Sequence, residues 1–556
     1  MRIYRSDENS CFDSNVNADP SLHTIKFYIS CCNILSTNVQ CEGIGTKTGK
    51  TKMGSQTPLT EIQNFYKNKT VFLTGCTEYV GKLVLEKILR TTPVKRVFVL
   101  VSGKDGKDAE ARCADIFDSL AFGPLKRHDQ EFYKKVSLVE GDCEKPDLGL
   151  KEVDKKTIVD EVECIFHCGT TTNAEQGLKQ AAFVNVRSTK KILEIAKEME
   201  KLMSFVFLSS AYSNFTLYEI HEEFYEPPVH YNKLIALCEG EEDLIKKCEE
   251  TWLQDWPNAA VYTLSIAETL LKNEGKGLPI SIIRPSHILP SMEDPITGYV
   301  EDGSGLTSYA VNHAMGVNRV FYYNKGALDV VPVDYVVNMI IASGWYVGLQ
   351  TLRLKRGDIT SIDTQIYHCV SSQEKPITTE EFFGTIHSVF REVPTNRMIQ
   401  IPFAFHTACY YNYKLLILFF HYFMGFLCDT GLKLAGKQPV VVNMYHKIHR
   451  AQELMSPFLL KQWYFSNDNA QKLLKRMSFA DRAIYPFDIL NINWQNYFVT
   501  LARGVRVYLL NDPMSTLTES KKRQQWKQIV QMIWGVVLVV ILYLIAKILV
   551  FKIIFR

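Results

Sequence analysis

Residues 70–81 read TVFLTGCTEYVG, and this stretch decides the fold. Residues 70–74 form a short apolar, β-branched run that predicts a buried strand, and residues 82–89 have the apolar periodicity of a helix. A glycine turn between a strand and a helix is typical of dinucleotide binding, because backbone N–H groups and the helix N-terminus meet a pyrophosphate there. In this interpretation Gly75 permits the tight turn and Gly81 lets the helix pack closely on the strand. A generic α/β turn has a similar pattern, so the interpretation depends on the segments C-terminal to it.

Four more apolar segments read as parallel strands with helical segments between them: 97–101, 136–142, 164–168 and 205–210. Short buried strands that alternate with helices predict an α/β fold, a Rossmann-type doubly wound parallel sheet. Such sheets bind ligands beyond the carboxyl ends of their strands. Asp142, Ser210 and the residues after His167 are therefore expected at one ligand-binding edge.

The composition is that of an ordinary globular chain. Its 556 residues suggest about three structural units. Hydrophobic residues at 46% and charged residues at 22% exclude wholesale disorder and a multi-span membrane protein. Because 63 Lys and Arg stand against 60 Asp and Glu, no excess of positive charge is present to bind nucleic acid. The 14 cysteines include no two C-x-x-C units at zinc-ligand spacing, so we predict no metal site and reduced, cytosol-facing thiols.

The two ends of the chain differ. Residues 1–66 read as a flexible N-terminal extension without an apolar run long enough for a signal sequence. Near the other end, residues 529–546 are apolar except for Gln531, which predicts a transmembrane helix over 529–550 after a basic linker at 511–528. Such a span inserts as a tail anchor, and the cationic residues before it favour a cytosolic main domain. The alternative is a buried core helix.

A second apolar stretch covers residues 405–427 and is interrupted by His406, Lys414 and His421. These polar residues make a membrane span costly. Scattered tyrosines make a helix that lies on the membrane surface an equal alternative. A core helix of the second domain is the third.

Several ordered motifs resemble the alcohol-forming fatty acyl-CoA reductases, which are extended short-chain dehydrogenases with a male-sterility-type C-terminal domain. Beyond the glycine turn, the matching stretches extend roughly from residue 67 to residue 510, and they include 141–142 (GD), 185–186 (NV), 209–214 (SSAYSN), 256–258 (WPN), 283–286 (IRPS), 331–338 (VPVDYVVN), 430–439 (TGLKLAGKQP) and 493–497 (NWQNY).

The resemblance implies a NAD(P)-binding reductase domain over 67–345 and a smaller, mainly helical reductase domain over 346–510. It implies reduction of a long-chain acyl-CoA to a primary fatty alcohol with two NADPH, for waxes or ether lipids. Membrane attachment is expected from the predicted span at 529–550, and because tail anchors of similar apolarity reach both organelles, we expect the endoplasmic reticulum first and the peroxisome second. A homo-oligomer is left open.

The resemblance also places the catalytic positions. Ser210 stands at the hydroxyl position, while the family's tyrosine position holds Ala260 and its lysine position holds Leu264. In the family the lysine lowers the pKa of the tyrosine and binds the cofactor ribose, and neither side chain present here does this. Tyr262 matches a second tyrosine of the pattern and is a candidate substitute donor. A packed aromatic is the more ordinary reading of Tyr262.

The predicted cofactor-binding residues follow the strands: Gly75, Thr77, Glu78, Val80, Gly81, Ser102 and Asp142. Two depart from the family pattern. Glu78 replaces the middle glycine of the turn and brings a negative charge towards the pyrophosphate. Ser102 replaces an arginine suited to phosphate recognition, which leaves the choice between NADP and NAD open.

Two functions therefore remain. The chain is a membrane-anchored acyl-CoA reductase, or it is a catalytically silent relative that binds acyl-CoA or a protein partner. His167, His287 and Arg284 read as packing or hydrogen-bonding residues rather than as catalytic groups.

Overall fold

Seven parallel strands form the central sheet of the computed structural model, which describes residues 58–554. In chain order they are β1 Thr70–Thr74, β2 Arg96–Val101, β3 Val136–Glu140, β4 Cys164–His167, β5 Ser204–Leu208, β6 Ile280–Pro285 and β7 Gln365–Cys369. Their spatial order is β7-β6-β5-β4-β1-β2-β3. The chain crosses from β3 back to β4, beside β1, so the β1–β4 junction is the switch point where Rossmann sheets bind ligands. The predicted Rossmann-type fold is confirmed.

Strand residues alternate between two hydrophobic layers. Val71 and Leu73 belong to one buried cluster, whereas Phe72 between them belongs to the cluster on the other face. All five residues of β1 are buried. A strand buried on both faces is uniformly apolar, which is why the sequence showed a continuous apolar run instead of alternation.

Helices cover both faces of the sheet and build the C-terminal region. They are α1 Glu61–Tyr66, α2 Tyr79–Thr91, α3 Ala109–Asp118, α4 Gly123–His128, α5 Glu152–Glu161, α6 Leu178–Ala182, α7 Ser188–Glu198, α8 Tyr231–Cys238, α9 Glu242–Trp252, α10 Ala259–Glu274, α11 Gly305–Ala314, α12 Val333–Arg356, α13 Thr379–Glu392, α14 Tyr410–Ile417, α15 Met424–Leu434, α16 Val441–Leu460, α17 Asp468–Arg476, α18 Phe479–Ile484, α19 Trp494–Gly504 and α20 Leu517–Ile554. The C-terminal region after β7 is mainly helical.

The folded region begins earlier than the boundary we expected at residue 67. Helix α1 lies inside the range predicted as a flexible extension, yet Ile62 and Tyr66 are fully buried. The Tyr66 hydroxyl donates to the Ile341 carbonyl at 2.8 Å, which ties α1 to α12. The sequence prediction failed because six residues are too few for a clear helical period. Residues 1–57 lie outside the described residues, so the extension remains a prediction there.

The expected boundary at residue 345 also falls inside an element. It cuts the 24-residue helix α12, and β7 beyond it pairs with β6 over Gln365–Cys369. Short strand pairs join the two halves further: Glu219–Ile220 with Tyr464–Phe465, Val320–Tyr322 with Phe405–Thr407, and Ala327–Leu328 with Ile377–Thr378. The region after residue 346 therefore completes the sheet.

The two predicted membrane segments take different forms. Tyr410–Leu434 is a continuous helical segment long and apolar enough to cross a membrane, with a mean hydropathy of 1.6. Residues 405–407 before it form a strand, so the apolar stretch is not one helix from its start. At the end of the chain α20 begins at Leu517, inside the predicted basic linker at 511–528, and continues unbroken into the predicted span.

Candidate active site

The glycine turn after β1 has the geometry expected from the sequence. Gly75 has a φ of +78°, and a Cβ there would lie 2.5 Å from the carbonyl carbon of Cys168, at the end of β4. A Cβ on Gly81 would lie 2.2 Å from the Gly75 carbonyl oxygen. Both glycines are therefore required by close backbone approach, the first to the neighbouring strand and the second to the turn itself. The N-terminus of α2 points from this turn to the switch point.

Glu78 fits this turn without backbone strain. Its φ of −90° and ψ of 160° are extended values open to any residue. The side chain is exposed and makes no capping hydrogen bond to α2. The first N–H groups of a helix have no partner within it, and no side chain caps this one, so they fit a pyrophosphate. Thr77 and Val80 beside Glu78 are half-buried.

The end of β2 carries a cation that the sequence analysis missed. The Arg112 guanidinium donates to the Ser102 carbonyl at 2.5 Å and to the Ser102 hydroxyl at 3.1 Å. Arg112 comes from α3, ten residues away, so only the fold places it where the family has an arginine. At the end of β3, the Asp142 carboxylate accepts the Glu144 N–H at 2.9 Å.

Ser210 follows β5 and lies at the same edge of the sheet as Gly75, two strands away. It is 8% exposed, and its hydroxyl oxygen accepts the Tyr212 N–H at 3.2 Å. Strands two positions apart in a sheet are separated by about 10 Å. The glycine turn and the Ser210 hydroxyl thus lie at the same edge of the sheet, on strands two positions apart.

Helix α10 carries both substituted catalytic positions and is fixed at its first turn. Asn258 caps it, accepting the Val261 N–H at 3.0 Å. Asn185, in the π-helical turn Phe183–Arg187, donates to the Ala260 carbonyl at 3.3 Å and to the Thr263 hydroxyl at 3.0 Å. Hydrogen bonds from Asn185 and to Asn258 therefore hold the first turn of α10 in place, although the side chains at 260 and 264 are not those of the family.

The side chains at these positions offer no proton chemistry. Ala260 and Leu264 are fully buried, and Leu264 packs in the hydrophobic cluster on the face of the sheet that Phe72 occupies. Tyr262 is 1% exposed, and its ring contacts Trp252 and Trp256 with centroids 6.5 and 5.4 Å away. Burial raises the pKa of Tyr262. Its ring packs in the core, which supports the reading as a structural aromatic rather than a substitute donor.

Known proteins match nearly the whole described chain. Two family models described as Male sterility protein match residues 73–340 and 420–512. Fatty acyl-CoA reductase 1 of Gallus gallus is 30% identical over 488 residues, which are 87% of this chain and 93% of that one. The chain belongs to the fatty acyl-CoA reductase family. Fatty acyl-CoA reductase wat of Drosophila melanogaster is 29% identical over 84% of this chain and 88% of that one.

Solved reductase domains share the fold of this family member. The terminal R domain of the myxalamid biosynthetic pathway superposes with a TM-score of 0.52 and 17% identity, over 79% of this chain and 90% of that one. The reductase domain of a nonribosomal peptide synthetase from Mycobacterium tuberculosis superposes with a TM-score of 0.51 and 17% identity, over 81% of this chain and 96% of that one. An oxidoreductase with a nicotinamide cofactor site and an acyl-CoA substrate is what the family supports.

A buried ion pair lies beside the loop that carries Ser210. The Glu268 carboxylate accepts two guanidinium N–H groups of Arg284, at 2.9 and 2.6 Å, and the side chains are 3% and 0% exposed. Glu268 also accepts the hydroxyls of Ser209, at 2.5 Å, and Ser213, at 3.1 Å, on either side of Ser210. The pair therefore holds the Ser210 loop, which agrees with the structural reading of Arg284.

His167 bridges two layers instead of facing a substrate. Its Nδ1 lies 2.7 Å from the Thr74 hydroxyl and its Nε2 lies 3.0 Å from the Thr189 hydroxyl. Burial lowers the pKa of His167 to about 3, so the imidazole is neutral in the folded protein. His287 packs on the rings of Tyr212 and Phe458, and burial lowers its pKa to about 4.

We expect His167→Gln to make stability less dependent on pH. The folded pKa of His167 lies below the unfolded value near 6.5, so its contribution is present above pH 6.5 and is lost as pH falls towards 3. One proton taken up on unfolding steepens the slope by about 1.4 kcal/mol per pH unit. Urea unfolding between pH 5 and 7.5 measures it. His128→Gln, at an exposed site, should follow the parent protein, and equal slopes for all three proteins would refute the assignment.

Proposed function

We propose that this fatty acyl-CoA reductase binds NADPH and a long-chain acyl-CoA and reduces the thioester to a primary alcohol, slowly, for wax or ether-lipid synthesis. The observation that carries the proposal is the contrast inside α10: its anchoring by Asn185 and Asn258 is intact, while Ala260 and Leu264 hold no proton donor and no cation. The scaffold for the reaction is present and its acid–base pair is missing.

The reaction takes place in two steps. In the first, a hydride adds to the thioester carbonyl, CoA leaves as the thiol, and an aldehyde and NADP⁺ form with uptake of one proton. In the second, a hydride and a proton convert the aldehyde to the alcohol. The cofactor supplies the hydride in each step. The protein must stabilise the negative oxygen that develops and deliver the proton.

Ser210 is the group we assign to the developing oxyanion. Its hydroxyl oxygen accepts a backbone N–H, which leaves its own proton to donate to a substrate oxygen in the crevice. A single neutral donor stabilises an oxyanion less than a donor paired with a cation does. Slow turnover follows from that difference.

NADPH is the proposed cofactor because Arg112 lies at the end of β2. The adenine ribose binds after this strand in Rossmann folds, and an arginine there accommodates the 2′-phosphate. The guanidinium has five N–H donors, of which the two contacts to Ser102 use one nitrogen. The remaining donors fit a phosphate in the bidentate manner.

Arg112→Ala should weaken NADPH binding about 10–100-fold, the cost of losing a charge-assisted hydrogen bond of about 1.5–3 kcal/mol. NADH binding should change little, because NADH lacks the 2′-phosphate. Quenching of protein fluorescence by each cofactor measures both affinities without turnover. Lys104→Ala, which removes an exposed cation from the loop between β2 and α3, is the matched control. An equal loss of affinity for NADPH and NADH would show that Arg112 does not recognise the 2′-phosphate.

Alcohol formation is the direct test of the proposed reaction. Purified full-length protein is incubated with a C16 acyl-CoA and NADPH, and fatty alcohol is measured by mass spectrometry. A slow, NADPH-dependent product supports the proposal. If acyl-CoA and NADPH bind and no aldehyde or alcohol forms, the chain is the silent, acyl-CoA-binding relative.

The proposed location is a tail anchor in the endoplasmic reticulum or, as second choice, the peroxisome, with the main domain in the cytosol. The support is the apolar stretch at 529–550, which continues α20 after the folded domain. Deleting residues 529–556 should release a tagged protein from membrane pellets, apart from the fraction that the apolar stretch at 405–427 retains on its own. Full retention after both segments are disabled would contradict the membrane proposal.

A further inference from the structure

The helical segment Tyr410–Leu434, here called the surface helix, contacts the folded domain along one narrow stripe. Its buried residues recur every fourth position, which places them on one face: Tyr413, Ile417, His421, Gly425 and Asp429. The other positions are exposed or half-buried. Only 22% of its most apolar window is buried.

The buried stripe is mostly polar and is held by specific hydrogen bonds. Asp429 accepts the N–H groups of Val440, Val441 and Val442 at 2.9, 2.9 and 3.0 Å, which caps the start of α16. His421 Nε2 accepts the backbone N–H of Arg319 at 3.2 Å. A helix that left the domain to cross a bilayer would break these bonds and expose the polar groups to hydrocarbon.

The exposed face is apolar and rich in aromatic residues. Phe419 is 62% exposed and Phe426 is 62% exposed. The same face carries Leu415, Leu418, Phe423, Met424 and Leu427, each between 41% and 56% exposed. The polarity is thus inverted relative to an ordinary surface helix, which buries its apolar face. A contiguous apolar surface of this kind marks an interaction site.

The position of α20 indicates what covers this face. Buried Arg506 fixes the start of α20, donating to the hydroxyl of Thr516, just before the helix, at 2.6 Å and to the hydroxyl of Ser520 in its first turn at 3.1 Å. Further along α20, Lys527 Nζ donates to the carbonyls of Met398 at 2.5 Å and Ile399 at 2.8 Å. The predicted span therefore begins beside the segment that leads into the surface helix.

That connecting segment is itself apolar. Ile399 is 55% exposed and Phe405 is 42% exposed, and the Phe405 ring packs on Phe420 of the surface helix at 4.9 Å. Ile529 and Ile533 on α20 are 46% and 58% exposed. Exposed apolar groups thus extend from α20 through residues 399–405 to the surface helix, which favours one continuous bilayer over a second copy of the chain.

We propose that the surface helix lies in the plane of a lipid bilayer and docks the domain on it, without crossing it. Its exposed face enters the boundary between headgroups and acyl chains, to a depth of about 5–10 Å. The stripe that includes His421 and Asp429 stays on the folded domain. This inference does not depend on the reductase activity.

Depth measurements along the helix test this arrangement in the full-length protein. Single reactive cysteines are introduced as Tyr411→Cys, Leu415→Cys, Phe419→Cys and Phe426→Cys after serine replaces the half-buried Cys143 and Cys248, the exposed Cys409 and Cys428, and the four cysteines of residues 1–57, which leaves only the six buried cysteines. Each carries a nitrobenzoxadiazole probe, and the protein is reconstituted into phosphatidylcholine vesicles with 20% phosphatidylserine, as a test composition. Bromines at acyl carbons 6 and 7, or 11 and 12, act as quenchers.

We expect all four probes to be quenched, with similar depths and stronger quenching by the shallow bromines. A probe at 419 that is deepest, with 411 far shallower, would show a membrane span and overturn the proposal. No quenching at any position would overturn it as well, in favour of a protein partner or a second copy. Leu120→Cys, at a site 63% exposed in the sheet domain, is the unquenched control.

A paired substitution gives an independent readout. Leu418→Ser with Phe419→Ser should lower the vesicle-bound fraction of protein lacking residues 529–556 at least tenfold. The matched pair Leu120→Ser with Phe479→Ser, whose sites are 63% and 90% exposed, should leave that fraction unchanged. Equal binding of the two variants would contradict the proposal.

Discussion

Replacing Ala260 with tyrosine and Leu264 with lysine together is expected to raise fatty alcohol formation about 10²–10⁴-fold, the usual contribution of general acid–base catalysis. The two positions lie one helical turn apart on α10, where an ammonium group reaches both a phenol and a ribose. Asn185 and Asn258 already hold this turn in place. Ser210 is present across the crevice.

Each single substitution should do little. A tyrosine at 260 without a neighbouring cation keeps a pKa near its ordinary value of about 10 and delivers its proton poorly. A lysine at 264 without the phenol has no proton donor to adjust. The proposal therefore predicts that the double variant increases the rate of alcohol formation by a factor larger than the product of the factors for the two single variants.

The matched control moves the same pair by one residue. Val261→Tyr with Ser265→Lys has the same spacing on the same helix, and both positions are 4% exposed, but they face another direction. Alcohol formation is measured under identical conditions, with circular dichroism to confirm folding. Rapid turnover by the unmodified protein would contradict the missing-pair argument, and its loss in Tyr262→Phe would then identify Tyr262 as the donor.

Glu268→Ala is expected to lower the free energy of unfolding by about 3–5 kcal/mol, the cost of leaving a buried charge without its partner. The Arg284 side chain is 0% exposed, so water cannot replace the lost carboxylate. The hydroxyls of Ser209 and Ser213 lose their common acceptor at the same time. Urea unfolding followed by tryptophan fluorescence measures the change.

The double variant Glu268→Met with Arg284→Met tests whether the loss of stability in Glu268→Ala comes from the unpaired charge. Replacing both charges with apolar side chains of similar size is often close to neutral, so this variant should be clearly more stable than Glu268→Ala. If the double variant were the less stable of the two, the unpaired charge would not be the cause. Equal stability of Glu268→Ala and the parent protein would refute the burial argument itself.

Local signals made part of the fold predictable. Strands β1 to β5 were located within two residues of their observed ends, because each is a compact apolar run next to a helical segment. Strand β6 was recognised only as part of a family motif, and β7 was missed. Strand β7 follows a long helix, and nothing in its local sequence distinguishes it from any other short apolar segment.

The candidate site was predictable where it depends on single positions. Gly75 and Gly81 were assigned from the turn pattern, and the close contacts they permit are present. The anchoring by Asn185, the Glu268–Arg284 pair and the approach of Arg112 to Ser102 were not found. Each joins residues 10 to 78 positions apart in the chain, so their partners are known only once the sheet is assembled.

Strand β7 has a consequence for synthesis and for partial proteins. It pairs with β6 only after residues 333–369 have been added, including the 24-residue helix α12. During translation the hydrogen-bonding edge of β6 stays open until then, and an open edge strand is a template for aggregation. A fragment that ends at residue 345 would keep that edge permanently exposed. The shortest soluble piece of this protein should therefore include residue 369 and the strand partners C-terminal to it.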